Sequence, residues 1–235
     1  MTEGQKQGAS MLRSRLEAVQ QGIAEAAAAA GRTADELTLI VVTKFHPAAL
    51  VRELAELGVR DVGENRHQEA QAKSAELAGL DLRWHFIGQL QTKKARQAAQ
   101  YAHAIHSIDR ERLVDALRTA EAPRPIEAFV QVNLTGDPGR GGASPDEIER
   151  IAERVLETPT LRLRGVMAVA PLPEEEAAAS AFERLRGYAE RVRALDPRAT
   201  DISAGMTHDY AEAIAAGATH LRIGSAITGN RPTAG

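Results

Sequence analysis

The sequence predicts an α/β fold, a single (β/α)8 barrel with an added long N-terminal helix and no second β domain. Three observations carry this. Eight short segments rich in Val, Ile and Leu alternate with seven amphipathic stretches, the pattern of βαβ units and a parallel sheet. No linker or shift of composition divides the 235 residues, so one domain spans 1–235. Only about a dozen residues follow the eighth strand, too few for a full eighth helix and its loop. The N-terminal helix is left to cover that side, which favours a closed TIM-type barrel over an open doubly wound sheet.

The elements follow in order. Residues 10–30 repeat Leu12, Leu16, Val19 and Ile23 at helical spacing and run into Gly31, a natural stop. Strands are predicted at 37–43, 59–62, 82–87, 104–107, 126–132, 163–169, 201–203 and 220–223. Helices fill the intervals near 47–57, 65–77, 92–100, 110–119, 145–157, 174–194 and 208–216. Two stretches broken by Pro or Gly, 121–125 and 136–142, read as surface loops.

Composition removes several classes of function. With 43% hydrophobic and 26% charged residues, the chain is an ordinary globular one with a substantial core. A net charge of -3 gives no general attraction for nucleic acid or an anionic membrane. The absence of cysteine excludes disulfides, thiolate catalysis and cysteine-ligated metals, and no metal site is expected. No stretch approaches the roughly 20 apolar residues of a bilayer span. The polar start, MTEGQKQGAS, lacks a signal-peptide core, so the expected location is cytoplasmic.

The most informative segment is SAGMTHDYAEAIAAGATHLRIGSAITGNR, residues 203–231. A strand ends at Ser203, Gly205 permits a tight turn, and Thr207 stands where a helix N-cap belongs. After the next strand come Gly224 and Ser225. Small residues at both turns let backbone N–H groups approach an anion, and a helix N-terminus adds its positive end. These are the loops after the seventh and eighth strands, where barrels bind phosphate. Alternation puts His220, Arg222 and Gly224 on the inner face and Leu221 and Ile223 on the outer. A buried guanidinium needs acceptors, either an interior carboxylate or a ligand atom.

At the other side of the mouth, Ile40, Val42 and Lys44 share one face of the first strand, so Lys44 stands at its C-terminal end. A lysine in a partly apolar mouth can condense with an aldehyde. Opposite a phosphate site, that is what a phosphorylated aldehyde requires. Glu64 and Asn65 fall at the end of the second strand and His85 within the third. A helix cap explains Asn65 equally well, and a satisfied core imidazole would explain His85.

The blocks VVTKFHP, VGENRHQEA, WHFIGQLQTKK and the 203–231 segment resemble the pyridoxal phosphate homeostasis protein family, related to the N-terminal barrel domain of alanine racemase. The similarity covers nearly the whole chain. The resemblance implies that Lys44 forms the internal aldimine with pyridoxal 5′-phosphate. It implies that Ser203, Thr207, Gly224 and Ser225 cradle the phosphate, that Arg222 faces the pyridine nitrogen, and that Asn65 lies near the ring hydroxyl. Met206 would pack against the cofactor and His85 would line the floor. Ala204, Thr228, Arg66 and Arg140 depart from the family pattern without removing an implied contact.

Pyridoxal phosphate is the strongest electron sink when its ring nitrogen is protonated, and a guanidinium there disfavours that proton. This suits a protein that buffers or delivers the cofactor, with PLP-dependent apoenzymes as recipients, more than a catalyst. The alternatives are a racemase and a Schiff-base aldolase on a sugar phosphate. Two-base racemisation needs an acid/base on each face of the substrate. Tyr101, Tyr188 and Tyr210 are not at recognisable strand ends, and the domain that supplies the second base in alanine racemase is missing from this sequence. The same reasoning makes a monomer the expectation.

Overall fold

Strands and helices alternate through almost the whole of the computed structural model, which describes residues 3–230. In chain order they are α1 (Glu3–Ala29), β1 (Thr38–Val42), α2 (Ala48–Glu56), β2 (Asp61–Glu64), α3 (His67–Glu76), β3 (Arg83–Phe86), α4 (Ala95–Ala99), β4 (Ala104–Ile108) and α5 (Glu111–Arg118). Then come β5 (Ile126–Gln131), α6 (Ile148–Leu156), β6 (Leu161–Met167), α7 (Ala178–Leu195), β7 (Asp201–Ser203), α8 (Tyr210–Ala215), β8 (His220–Ile223) and α9 (Ser225–Thr228). The eight strands form one closed barrel in sequence order. Closure is made by parallel pairing of β1 with β8, from Thr38↔His220 to Val41↔Ile223.

All eight predicted strands are present, with ends displaced by at most two residues. Three local differences have physical causes. The predicted helix at 92–100 divides into a 3-10 turn, Thr92–Lys94, and the short α4. The helix expected from 208 begins only at Tyr210, because the Asp209 carboxylate turns back to accept the Met206 N–H at 2.5 Å. Residues 207–209 therefore form a turn, and Asp209 rather than Thr207 precedes the helix. The one-turn helix α9 was not anticipated, being too short to show a period.

Period-2 alternation decides which side of each strand is apolar. The outward residues Val41, Val62, Ala128, Val130, Val166, Ile202, Leu221 and Ile223 join the surrounding helices in one continuous core. The inward residues are different in kind. Ala104, Phe129 and Met167 form a small apolar cluster of their own, and around it the interior carries His85, His106, Ser203, His220 and Arg222, all buried. At β6 the register slips by one residue opposite Ala128 and Phe129, and Gly165 follows with φ +147. A Cβ there would stand 1.9 Å from the Asp201 carbonyl oxygen, so only glycine fits.

The helix α1 closes the side left open after β8. Its Leu12, Leu16, Ile23 and Ala27 are buried in the same core, and it packs against α8 and α9. Arg32, just beyond its end, donates to the carbonyls of Ile214 (3.1 Å) and Ala218 (2.7 Å) at the far end of α8. Replacing Leu16 by Ala removes a fully packed side chain from this seam. The expected loss is about 2–4 kcal/mol, read from the midpoint of urea unfolding at unchanged slope.

Candidate functional site

The C-terminal mouth of the barrel begins at Lys44, two residues past Val42 on the inward face. The chain turns sharply there, because Phe45 takes φ +69, a left-handed conformation rare for a bulky residue. It is held by its N–H donating to Glu69 Oε2 at 3.1 Å and by the Arg66 guanidinium, 4.8 Å from the ring centroid. One layer below, buried Lys73 donates to the Thr43 carbonyl (2.9 Å) and to Glu64 Oε1 (2.6 Å), and the Thr43 hydroxyl donates to the same oxygen at 2.7 Å. Glu64 thus belongs to the support beneath Lys44 and not to the mouth, since alternation turns it toward α3. Lys44 itself is exposed at the rim, not enclosed in an apolar mouth.

Pairing of β1 with β8 places the Gly224 turn beside Val42. A Cβ on Gly224 would lie 3.3 Å from Val42 Cβ and 3.4 Å from its carbonyl oxygen, so a side chain would push the two strand ends apart. Lys44, Phe45, His46, Gly224 and Ser225 line one small cavity of about 140 Å³. The first N–H groups of α9 have no intrahelical acceptors, as at any helix start. On the neighbouring loop Gly205 has φ +93, and its carbonyl accepts the Arg222 N–H at 2.9 Å. Met206 is 38% exposed and Thr207 half-buried on that loop. The motif ends with Arg231, which lies outside the described residues.

Beneath the mouth lies Arg222, 4% exposed. Its two terminal nitrogens donate to Ser203 Oγ (2.7 Å) and to the Ala168 carbonyl (2.8 Å). Among the described residues no carboxylate forms an ion pair with it. Burial pushes its pKa down to about 10, partly offset by Asp209.

This geometry corrects two of the expected roles. Ser203 is fully buried, and its hydroxyl is taken by Arg222 and by His106 Nδ1, 2.8 Å away. It lies under the loop and does not line it. His85, also buried, contacts His106 through Nδ1 (2.9 Å) and Asp61 through Nε2 (2.8 Å). Two residues therefore separate it from Arg222, and it faces a polar cavity of about 290 Å³ at the opposite, N-terminal end of the barrel. Asn65 is where it was expected, at the end of β2. Its Oδ1 is buried without a hydrogen-bond partner, and it packs so closely on Gly88 that a Cβ there would be 2.2 Å from the Asn65 carbonyl. His106 and Asp61 were missed. Inward alternation of Ala104 and His106, before the register shifts ahead of Ile108, would have revealed the histidine, by the argument that placed Arg222.

The eight strands form a closed parallel barrel with a lysine at the end of β1 and glycine turns after β7 and β8. The chain belongs to the alanine racemase N-terminal domain family, whose model matches residues 15–232, and within it to the pyridoxal phosphate homeostasis proteins. It is 44% identical over 214 residues to the pyridoxal phosphate homeostasis protein of Pseudomonas aeruginosa, covering 89% of this chain and 91% of that one. The protein of the same name from Escherichia coli K12 is 40% identical over 225 residues, covering 92% and 95%. Among solved structures, PipY of Synechococcus elongatus PCC7942 with PLP bound superposes with a TM-score of 0.75 at 33% identity, covering 92% of this chain and 99% of that one. No helix of the described residues is long and apolar enough to cross a membrane.

The interior histidines set an acid limit on stability. Burial lowers the pKa of His85, takes His106 well below its usual 6.5, and brings His220 to about 3. An unfolded chain takes up these protons from about pH 6.5 downward while the fold excludes them, so stability is lost as pH falls through that window. Glu64 and Asp201, raised by burial, act in the opposite sense, in the carboxylate range. Between about pH 6.5 and pH 5, urea titrations are expected to show the unfolding free energy falling by up to about 1.4 kcal/mol per pH unit for each excluded proton.

Proposed function

We propose that this chain binds pyridoxal 5′-phosphate at the C-terminal mouth, attached through Lys44, and holds it in a cytoplasmic reserve for PLP-dependent apoenzymes without strong catalysis of its own. One observation carries the reading: Lys44 and the Gly224–Ser225 turn, on adjoining strands, line a single cavity, and β8 also carries a buried guanidinium that pairs with no carboxylate among the described residues. The names of the relatives and the PLP-bound PipY structure support it.

The residues present fit the cofactor. The unpartnered Asn65 Oδ1 marks a side-chain amide free to meet the ring hydroxyl. Thr207, Gly224 and Ser225, with their backbone N–H groups, would hold the phosphate, and Met206 would cover the ring. Lys44 Nζ, exposed at the rim, is accessible to an incoming aldehyde. Arg222 would face the ring nitrogen, with Ser203 and His85 acting on it from below. When bound, pyridoxal phosphate supplies an electron sink for carbanion chemistry, strongest with a protonated ring nitrogen. A guanidinium donates a hydrogen bond to that nitrogen and disfavours its protonation. The same choice of residue that secures the ring therefore weakens the sink.

The purified protein should be yellow, or become so with added pyridoxal phosphate, and bleach on borohydride with the pyridoxyl group mapped to Lys44. Lys44→Ala should lose the adduct and keep its thermal midpoint. A protein that stays colourless and unmodified after incubation with the cofactor would overturn the reading and favour the sugar-phosphate aldolase. The holoprotein is further expected to form no D-alanine from L-alanine beyond the rate with free cofactor.

A further inference from the structure

A line of hydrogen bonds runs through the barrel interior from one end to the other: Asp61, His85, His106, Ser203, Arg222. Each link is 2.7–2.9 Å and each member is buried. The direction of every proton along it follows from its ends. Asp61, with its pKa held down by hydrogen bonds from His85 and Arg83 against the effect of burial, is an acceptor only. His85 must then carry its proton on Nε2. Burial keeps that ring neutral, so its Nδ1 accepts, and His106 must donate from Nε2. His106 is neutral for the same reason and accepts at Nδ1 the single proton of Ser203. The serine oxygen is left to accept from Arg222, which can only donate.

We infer that Asp61, His85, His106 and Ser203 are positioning residues that together hold the Arg222 guanidinium in one orientation beneath the cofactor ring. The inference rests on Arg222 being the partner of the ring nitrogen, as proposed above. It accounts for two facts that the local site leaves open. A buried guanidinium normally needs a carboxylate partner, and here its side-chain acceptor is a neutral serine hydroxyl. Two imidazoles also lie inside the barrel where Val, Ile and Leu usually pack.

The surroundings preserve the order of the line. His106 stacks on Phe129, with centroids 4.3 Å apart and planes at 9°, which fixes its ring. Arg83 pairs with the second oxygen of Asp61, leaving Oδ1 to His85. The other titratable groups acting on the line are Asp209 at the Arg222 end, His103 and His220 beside the imidazoles, and around the same lower cavity Glu127, Arg164 and Asp201. Glu127 is held at about 2 by His103 and Arg164. Asp201 and Arg164 pair with each other, so these charges are matched beside the line and do not compete for its members.

Two measurements test it. Long-range proton–nitrogen NMR on the protein without added cofactor should find His85 and His106 as neutral Nε2–H tautomers near neutral pH. An Nδ1–H tautomer or a protonated ring at either position would overturn the inference, whether or not the protein binds pyridoxal phosphate. The second uses the visible band of the holoprotein, with its pH midpoint and the dissociation constant of added pyridoxal phosphate. Ser203→Ala should weaken binding by about tenfold and move the midpoint, a loss the size expected for a hydrogen bond to a charged group. Ser203→Thr, which keeps a hydroxyl, should restore both. Asp61→Asn, at the far end and away from any ligand, should move the midpoint in the same direction by a smaller amount. If Asp61→Asn folds with a wild-type midpoint and affinity, the line carries no influence and the inference falls. A wild-type protein that takes up no cofactor would instead remove the proposed function, and the tautomers would still decide the order of the line.

Discussion

An arginine held inside a barrel without an adjacent carboxylate is the constraint around which this interior is arranged. Moving a guanidinium out of water costs several kcal/mol unless its N–H groups find acceptors. Here they are a serine hydroxyl and a backbone carbonyl. Neither carries charge, so the cation stays available to whatever occupies the mouth above it. The serine donates its own proton to a histidine, that histidine to another, and the second to Asp61. One line of hydrogen bonds thus joins the buried cation to residues on four other strands.

The result is a barrel with two unlike halves. Its outer shell is ordinary, with Val, Ile and Leu of the strands against the helices. Its inside has one small apolar cluster, Ala104, Phe129 and Met167, set within hydrogen-bonded groups. At the N-terminal end, Asp61, Glu127, Asp201, Arg83 and Arg164 pair among themselves around a cavity. Such pairs are costly to bury, and one partner removed leaves the other unmatched. This half of the molecule therefore contributes definition more than stability, and the surrounding shell and α1 supply the latter.

Most of the fold was legible because outward alternation holds along most strands, interrupted only by register shifts in the β4–β5 and β5–β6 pairings. The outward faces show as Val, Ile, Leu and Ala at alternate positions of most strands. Arg222, Lys44 and Asn65 were legible for the same reason, as polar groups at inward or terminal strand positions. The roles of Ser203 and His85 were not. Their faces were readable, but depth along the barrel axis depends on the register between strands, which no single segment encodes. His85 pairs level with Gly63 and Ala104, well below the mouth. The start of α8 was misplaced because a side chain, Asp209, captured the Met206 N–H and delayed the helix. Nor could periodicity show the exposure of Lys44, which follows from the left-handed turn at Phe45.

The placement of α1 has a thermodynamic consequence. At 27 residues it is about 40 Å long, and it rests on α8 and α9, the helices that open from the turns after β7 and β8. Any loosening of this helix uncovers the helices that follow those turns. By linkage, whatever binds at the turns tightens the helix, and whatever loosens the helix weakens binding by the same factor. A residue such as Leu16, remote from any ligand, therefore lies on the same balance as the occupancy of the mouth, and the amide protons of α1 keep a record of it.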